Sequence, residues 1–330
     1  MEITAGGLLE IRITPADVGK RVSVRRVDLR PGRPPEFSDA VGVLTSWNEG
    51  VLVITQKNGK AVRIAESALV AGKTVPPAPA RRRGPAASFE ELARIAARSW
   101  QPLESEPLGE WTLRAAGGFT RRANSVLPLG DPGIPLDEAL ARVTAWYAER
   151  GLPAYVQAAT GAEGTQELLC AELERRGWVN EVSAEVRIGA LAPVGDLDAA
   201  AARDVRLSRT PDEEWLGRYG RVEDPALARR VLVEGPSVWF ASLEGGRAVG
   251  RCVVDGRWAG FAAVTVDPAH RREGLATAVM AALARRALEE GASAAWLQVE
   301  TDNGGARGLY DGMGFATHHM YHHYRAGAAG

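Results

Sequence analysis

The chain has 330 residues, 45% hydrophobic and 25% charged, with a formal net charge of −1. That is the composition of an ordinary globular protein long enough for two or three domains. No apolar run reaches the ~20 residues of a membrane span, and the opening MEITAGGLLEIRITP has neither a basic nor an apolar leader region, so a cytoplasmic location is expected and a membrane partner is not.

Near-neutrality conceals an asymmetry. Residues 1–84 carry 14 Lys and Arg against 8 Asp and Glu, and the remainder carries 26 against 33. All four lysines, Lys20, Lys57, Lys60 and Lys73, lie in the basic front section. Such a module could contact nucleic acid or an acidic protein. Its basic residues are spread out with few aromatics between them, as on a plain solvated surface. The two cysteines sit in apolar helix-like (ELLCAEL, Cys170) and strand-like (GRCVVDG, Cys252) contexts, which reads as buried thiols rather than a disulfide.

In chain order, RVSVRRVDL, AVGVLTSWNEG, VLVITQ and KAVRIAES alternate like short strands, with Asn58-Gly59 as a hairpin turn. This predicts a small all-β barrel over residues 1–75. A Pro/Ala/Arg linker follows over 76–87, where proline disfavours helix and sheet alike. Two similar α+β segments come next, over 88–193 and 194–330. Each runs strands, long helix, strand, short helix and strand, and each short helix ends near a Gly-aromatic pair, Gly177-Trp178 and Gly314-Phe315. In the first, WTLRAAG, RRANSVLPL, AYVQAA and NEVSAEVRI read as strands, with PLDEALARVTAWYAERG and TQELLCAELERRGW as helices. In the second, a strand pair through HHMYHHY is expected to close the chain.

The stretch TVDPAHRREGLATAVMAAL carries the clearest chemistry. An apolar strand stops at Asp267-Pro268 and an alanine-rich helix begins near Gly274. Helix N-termini present unbonded N–H groups and the positive end of the macrodipole, which suit an anion. Small residues at 274 and 276 leave room for a pyrophosphate at the backbone, and arginine beside it adds a charge-assisted contact. Neither GxxxxGK[ST] nor a strand-borne GxGxxG is present. Arg271-Arg272-Glu273-Gly274-Leu275-Ala276 instead resembles the R/Q-x-x-G-x-G/A pattern of the GNAT superfamily of N-acetyltransferases. Val266-Asp267-Pro268 before it, Asn303 after LQVE, and Leu309-Tyr310-Asp311-Gly312-Met313-Gly314-Phe315 match that family's further features in order.

The resemblance implies an α+β chain. Its C-terminal GNAT domain would hold a mixed, mainly antiparallel sheet flanked by helices, preceded by a degenerate GNAT-like unit and a small all-β SH3-like barrel. It implies acetyl-CoA as co-substrate, no metal, and an amine acceptor. The diphosphate would lie on the backbone of Arg271, Arg272, Glu273, Gly274, Leu275, Ala276 and Thr277. The pantetheine arm would pair with Val264, Thr265 and Val266, and Asn303 would touch it. Tyr310 would protonate the departing thiolate, a role that competes with simple core packing of an aromatic. The position of the glutamate found in some family members holds Gln298, which cannot act as a base. A water path or Glu300 would have to substitute, with Asp255 behind Glu300, although each carboxylate reads more readily as an ordinary surface group.

In the first α+β segment the corresponding loop is Gly130-Asp131-Pro132-Gly133-Ile134-Pro135, whose acid and prolines do not suit a diphosphate. Its GGFTRRANSV offers Arg121, Arg122 and Asn124 to an anionic or hydroxylated acceptor. On a regular strand His318 and His322 would share one face, and His319 and His323 the other, so the four cannot converge on one metal. A non-catalytic acyl-CoA sensor, and acetylation of the barrel's own lysines, are the rival readings.

Overall fold

A computed structural model describes residues 10–28, 34–76 and 84–327. Most of the expected linker (77–83) and the first nine residues therefore lie outside the described residues. The chain divides into two compact units, Met1–Pro79 with Ala158–Trp178, and Ala80–Gln157 with Val179–Gly330.

The first unit contains β1 (Arg21–Asp28), β2 (Glu36–Asn48), β3 (Val51–Gln56), β4 (Ala61–Ala65) and β5 (Leu69–Thr74), in the sheet order β4-β3-β2-β1-β5. These five strands pair with one another antiparallel throughout. Period-two alternation puts Val22, Val24, Leu44, Leu52, Ile54 and Ile64 into one apolar core. Asn58-Gly59 makes the β3–β4 turn, with the Asn58 carboxamide accepting from Lys60 N. On the surface Lys20 is salt-bridged to Asp17 and Arg25 to Asp39. Segment Ala158–Trp178, expected in the following α+β segment, groups with these strands; Thr160 Oγ1 donates to Lys57 O at 2.8 Å.

The remaining elements are α1 (Phe89–Ser99), β6 (Glu104–Leu108), β7 (Trp111–Ala115), α2 (Leu136–Ala148), β8 (Tyr155–Thr160), α3 (Glu167–Arg175), β9 (Val179–Ala190), α4 (Ala192–Gly195), β10 (Arg206–Ser208), α5 (Glu213–Tyr219), α6 (Pro225–Leu232), β11 (Ser237–Ser242), β12 (Ala248–Asp255), β13 (Trp258–Val266), α7 (Leu275–Glu289), β14 (Ala294–Glu300), α8 (Gly304–Gly312) and β15 (Ala316–Arg325). Eight strands form one sheet in the order β10-β11-β12-β13-β14-β9-β15-β8. The boundary expected at 193/194 thus falls after a strand, β9, that lies between β14 and β15. Each α+β segment places its final strand beside the other segment's strand, so the two share a sheet.

Two strand expectations are corrected. RRANSVLPL is no strand: Arg121–Ala123 is a 3-10 turn, and only isolated bridges at Val126 and Leu127 follow. Asn124 enforces the turn, its carboxamide oxygen accepting from Ala116 N and Gly118 N while its NH2 donates to Thr120 O. The closing strand pair is the single strand β15.

The core of the second unit is made by α7 lying on β12 and β13. Leu275, Val279, Met280, Leu283, Ala284 and Ala287 meet Cys252, Ala259 and Phe261 there. Alanine-rich α7 approaches closely because Gly250 has no side chain: a Cβ at that position would stand 2.5 Å from Val279 Cγ1. Both cysteines are buried, and burial pushes the Cys252 thiol up to about 12. Among the described residues no helix is long and apolar enough to cross a membrane.

Candidate functional site

β13 and β14 run parallel and paired only from Trp258↔Ala294 to Phe261↔Leu297. Beyond Phe261, β13 takes up one extra residue against β12, where Arg251 faces Ala262 and Val249 faces Thr265. Ala263 stands at φ +54° within this bulge. Such a bulge bends its strand and frees local backbone. β14 meanwhile continues with β9 as far as Glu300↔Ala184. The two strands therefore part, opening a cleft lined by the expected Val264 and Thr265, and by Gln298, Glu300, Asn303 and Tyr310. Val266 is the last residue of β13, paired with Ala248. Two polar atoms on the β14 wall, Trp296 Nε1 and Gln298 Oε1, are buried without a hydrogen-bond partner.

Past Val266 the chain enters the arginine-rich loop. Asp267 caps the short turn Pro268–His270 through Ala269 N and is ion-paired with Arg218. Arg272 (φ +67°) and Gly274 (φ +76°) both take left-handed backbone, a rare conformation for arginine. Gly274 is the N-cap of α7 and supplies no side chain to the first-turn amides. A Cβ at Gly274 would meet nothing within 4 Å, so the space over this helix end is clear of protein. Arg271, Arg272 and Glu273 are exposed, Leu275 is buried in the core, and Ala276 and Thr277 are half-buried in the first turn. Glu273 turns to His270, 3.3 Å away. The matching loop before α2 is closed by its own acids, since Glu110 accepts from Asp131 N and Asp131 accepts from Gly133 N.

α8 carries the other expected groups. Asn303 is its N-cap, the side-chain oxygen accepting from Ala306 N at 3.1 Å. Tyr310 is 8% exposed and stacks edge-on with Phe315. Burial pushes its hydroxyl up to about 12, with Arg187 pulling weakly the other way. Arg187, buried on β9, donates to Arg307 O at 3.1 Å and to Asp311 Oδ1 at 3.0 Å, the residues that flank Tyr310 on α8. It also pairs with Glu185 at 2.6 Å, and Glu185 in turn accepts from Arg307 at 2.8 Å. This network fixes the helix bearing Tyr310 and was missed in the sequence. Its only trace there is an uncommon run of charge, Glu185-Val186-Arg187, inside an apolar strand.

Glu300 ends β14 and stands 4.0 Å from Arg221. It lines both the cleft and an adjoining cavity of about 390 Å³. Arg122, Tyr219 and Arg221 are likewise shared by the two, so the cavity opens onto the cleft. Asp255 does not belong to the site. It lies at the β12–β13 turn, salt-bridged to Arg98 at 2.6 Å, at the far end of β13 and ~20 Å of extended strand from Val264.

The histidines occupy β15. A register shift between Thr317 and His319 bulges His318 out of the regular alternation, so that the Nδ1 atoms of His318 and His319 lie 2.9 Å apart. His322 is bonded to Ser183 Oγ, and His323 lines the cavity. Among the described residues no group of three or more metal-binding side chains converges.

Comparison with known proteins supplies the family. Residues 86–324 match the family model described as "Probable histone acetyltransferase Rv0428c C-terminal". Residues 16–73 match an "Rv0428c N-terminal Sm-like domain", where an SH3-like barrel was expected. The chain is similar to the "Probable histone acetyltransferase Rv0428c" of Mycobacterium tuberculosis, with 29% identity over 95% of this chain and 97% of that protein. It is also similar to the "Uncharacterized N-acetyltransferase YobR" of Bacillus subtilis, with 26% identity over 72% of this chain and 98% of that protein. Among solved structures, a GCN5-related N-acetyltransferase from Kribbella flavida has the same fold (TM-score 0.52, 16% identity, 72% of this chain and 96% of that one). So does a tandem GNAT protein from the clavulanic acid biosynthesis pathway (TM-score 0.52, 13% identity, 76% of this chain and 91% of that one). The chain belongs to the family of the Rv0428c C-terminal model and is an N-acetyltransferase with the fold of GNAT proteins.

Proposed function

We propose that the second unit transfers an acetyl group from acetyl-CoA to a primary amine in the cytoplasm, with the cleft between β13 and β14 as the site of transfer. The observation that carries this reading is the continuity of three features: a left-handed Arg272–Gly274 cradle at the uncapped start of α7, an unpaired β13 edge, and a buried tyrosine on the opposite wall.

The residues fit acetyl-CoA. Backbone amides from Arg271 to Thr277 and the α7 dipole suit its diphosphate. The free edge at Val264 to Val266 suits the amides of its pantetheine arm, and the unpartnered Gln298 Oε1 and Trp296 Nε1 offer one acceptor and one donor there. Buried orphan groups cost about 1–3 kcal/mol each, which a hydrogen-bonding occupant relieves. Asn303, with its carbonyl engaged in the cap, still has its NH2 group to offer.

Acetyl-CoA would supply the acetyl group as a thioester; transfer makes an amide, releases a thiol, and moves one proton from the amine to sulfur. Glu300, at the junction of cleft and cavity, is placed to take the amine's proton. The Tyr310 hydroxyl gives the proton that sulfur needs. Burial keeps that hydroxyl protonated at neutral pH, as an acid requires, and the network around Arg187 holds it in place.

Calorimetric titration with acetyl-CoA is the test. One site per chain is expected in the wild type and none in Arg271→Glu/Gly274→Asp, with an unchanged circular dichroism spectrum. Equal binding by both proteins would reduce the loop to a turn and remove this reading. Binding without turnover against any amine would leave a sensor in its place.

A further inference from the structure

The cavity beside the cleft has a chemistry that selects its occupant. It is lined by Arg121, Arg122, Arg221 and Glu300, with Tyr155, Tyr219, Tyr321 and His323 among its other walls. Three guanidinium groups thus face one carboxylate.

These cations are unequally neutralised. Arg121 is held by Glu181 at 3.3 Å and lies over the Tyr155 ring. Arg122 has no carboxylate partner among the described residues; its Nε donates to Tyr321 OH at 3.0 Å, and its guanidinium lies 5.9 Å from the Trp100 ring centre. Arg221 approaches a carboxylate only at 4.0 Å, in Glu300. Arginines at the wall of a cavity and without a paired acid are anion-binding groups, since a guanidinium fork matches carboxylate and phosphate oxygens.

A second observation is independent of charge. His323 is 2% exposed, lines the cavity, and both its ring nitrogens are buried without a hydrogen-bond partner. The nearby Tyr155 and Tyr321 rings meet it edge-on, which fixes the ring while leaving both nitrogens unused. Native proteins rarely leave such groups orphaned except where a ligand, water or ion completes them. Burial, with Arg122, Arg114 and Arg121 close by, keeps this imidazole neutral, able to donate from one nitrogen and accept at the other.

We propose that the acetyl acceptor is a small primary amine that also carries an anionic group, a carboxylate or a phosphate, with the anion held by Arg122 and Arg221 and the amine set towards Glu300. The proposal rests on the acetyl-transfer reading of the adjoining cleft. A cavity of about 390 Å³ accommodates a compact metabolite. The shared residues Arg122, Tyr219, Arg221 and Glu300 bring such an acceptor to the mouth of the cleft. There its nitrogen, deprotonated by Glu300, bonds to the acetyl carbon, the carbon–sulfur bond breaks, and sulfur takes its proton from Tyr310. A lysine in a basic peptide brings positive charge to the same arginines and is disfavoured.

The test compares kcat/KM, read as thiol release from acetyl-CoA, across four classes of amine. These are α-amino acids, an amino-sugar phosphate, an uncharged-tail alkylamine, and cations (spermidine and a lysine-rich peptide). The anionic classes should exceed the others by roughly tenfold or more, and the two anionic arms separate carboxylate from phosphate. In Arg221→Gln, an exposed position, the ratio of anionic to cationic kcat/KM should fall about tenfold, a readout that general damage does not move. A wild-type preference for spermidine or the peptide, or a ratio unchanged in both Arg221→Gln and Arg122→Gln, overturns the proposal. If acetyl-CoA is neither bound nor consumed, the acetyl-transfer reading fails by itself. Thermal shifts then decide the cavity. Stabilisation by the anionic amines, reduced in Arg221→Gln, upholds it; stabilisation by none or by the cations alone ends it.

Discussion

Arg187 on β9 reaches Asp311 on α8 at 3.0 Å, and its same Nη1 donates to the Arg307 carbonyl, so a strand from the first α+β segment grips the helix that carries Tyr310. Burial by itself pushes the neighbouring Glu185 carboxyl up, but Arg187 and Arg307 outweigh it and hold it below the usual carboxylate range. Arg187→Met removes one side of a buried ion pair and strands Glu185. Destabilisation of about 2–3 kcal/mol is expected, less than for a pair with no second partner, because Arg307 remains. Urea melts measure it. With acetyl-CoA, kcat should drop roughly tenfold while KM for acetyl-CoA changes little, and Arg187→Lys should recover part of kcat. Equal losses in kcat and acetyl-CoA affinity would mean that Arg187 supports the whole cleft rather than the helix.

Tyr310→Phe separates chemistry from packing at that helix. The ring makes the core contact with Phe315, and phenylalanine keeps it. Only the hydroxyl is lost. The melting temperature should therefore stay within a few degrees, acetyl-CoA affinity should be retained, and kcat should fall by about 10²–10⁴ if the hydroxyl delivers the proton. Steady-state rates beside calorimetry decide it; an unchanged kcat returns Tyr310 to the core.

The geometry of the loop proposed to hold the cofactor was legible because it is local. A strand end, a turn and a helix start lie within Thr265 to Leu283, and the left-handed backbone of Arg272 and Gly274 arises within that segment. Strands β1 to β4 of the first unit were legible for the same reason, as alternation and an Asn-Gly turn act over a few residues, whereas β5 was not read. What stayed hidden is what only three-dimensional pairing creates. Nothing in NEVSAEVRI says that β9 will lie beside β14, and without that placement Arg187 has no visible purpose. RRANSV was read as extended, yet Asn124 bonds the backbone on both sides of the turn and coils it. Asp255 was a carboxylate at a plausible sequence distance, and strand length alone carries it to the wrong end of the sheet. Helix α1 passed unnoticed despite its N-cap, Ser88, accepting from Glu91 N.

The buried histidines predict an acid-labile fold. Burial drives His322 down to about 4, and His323 lies well below its ordinary value. In the unfolded chain both titrate near ~6.5. Between that value and the folded pKa the unfolded state binds more protons than the native state, so stability rises with pH across this window and is lost as pH falls from 6.5 towards 4. His322 alone contributes on the order of 3 kcal/mol to that slope. Glu185 works in the same direction lower down, since its depressed folded pKa gives stability that is lost as pH falls below the ordinary glutamate range. Melting temperatures from pH 7 to pH 4 should decline, and His322→Asn, which removes one titrating group, should flatten the upper part of the curve. A parallel decline in wild type and variant would show that His322 is protonated in the native state.

Gly274→Val tests the cradle without disturbing the core. The new Cβ meets no protein atom within 4 Å, so any loss of stability comes from φ +76°, a conformation costly for a β-branched residue. That cost is about 1–3 kcal/mol, visible as a modest drop in melting temperature. The methyl groups would stand in the open space at the start of α7, where the first-turn amides have no side-chain cap. Acetyl-CoA affinity should fall at least about tenfold, equivalent to ~1.4 kcal/mol. The affinity of an acceptor amine, measured separately by ligand-detected NMR, should be unaffected, since Gly274 lies outside the cavity's lining. Loss of both affinities would point to a collapsed loop, and loss of neither would place the diphosphate elsewhere.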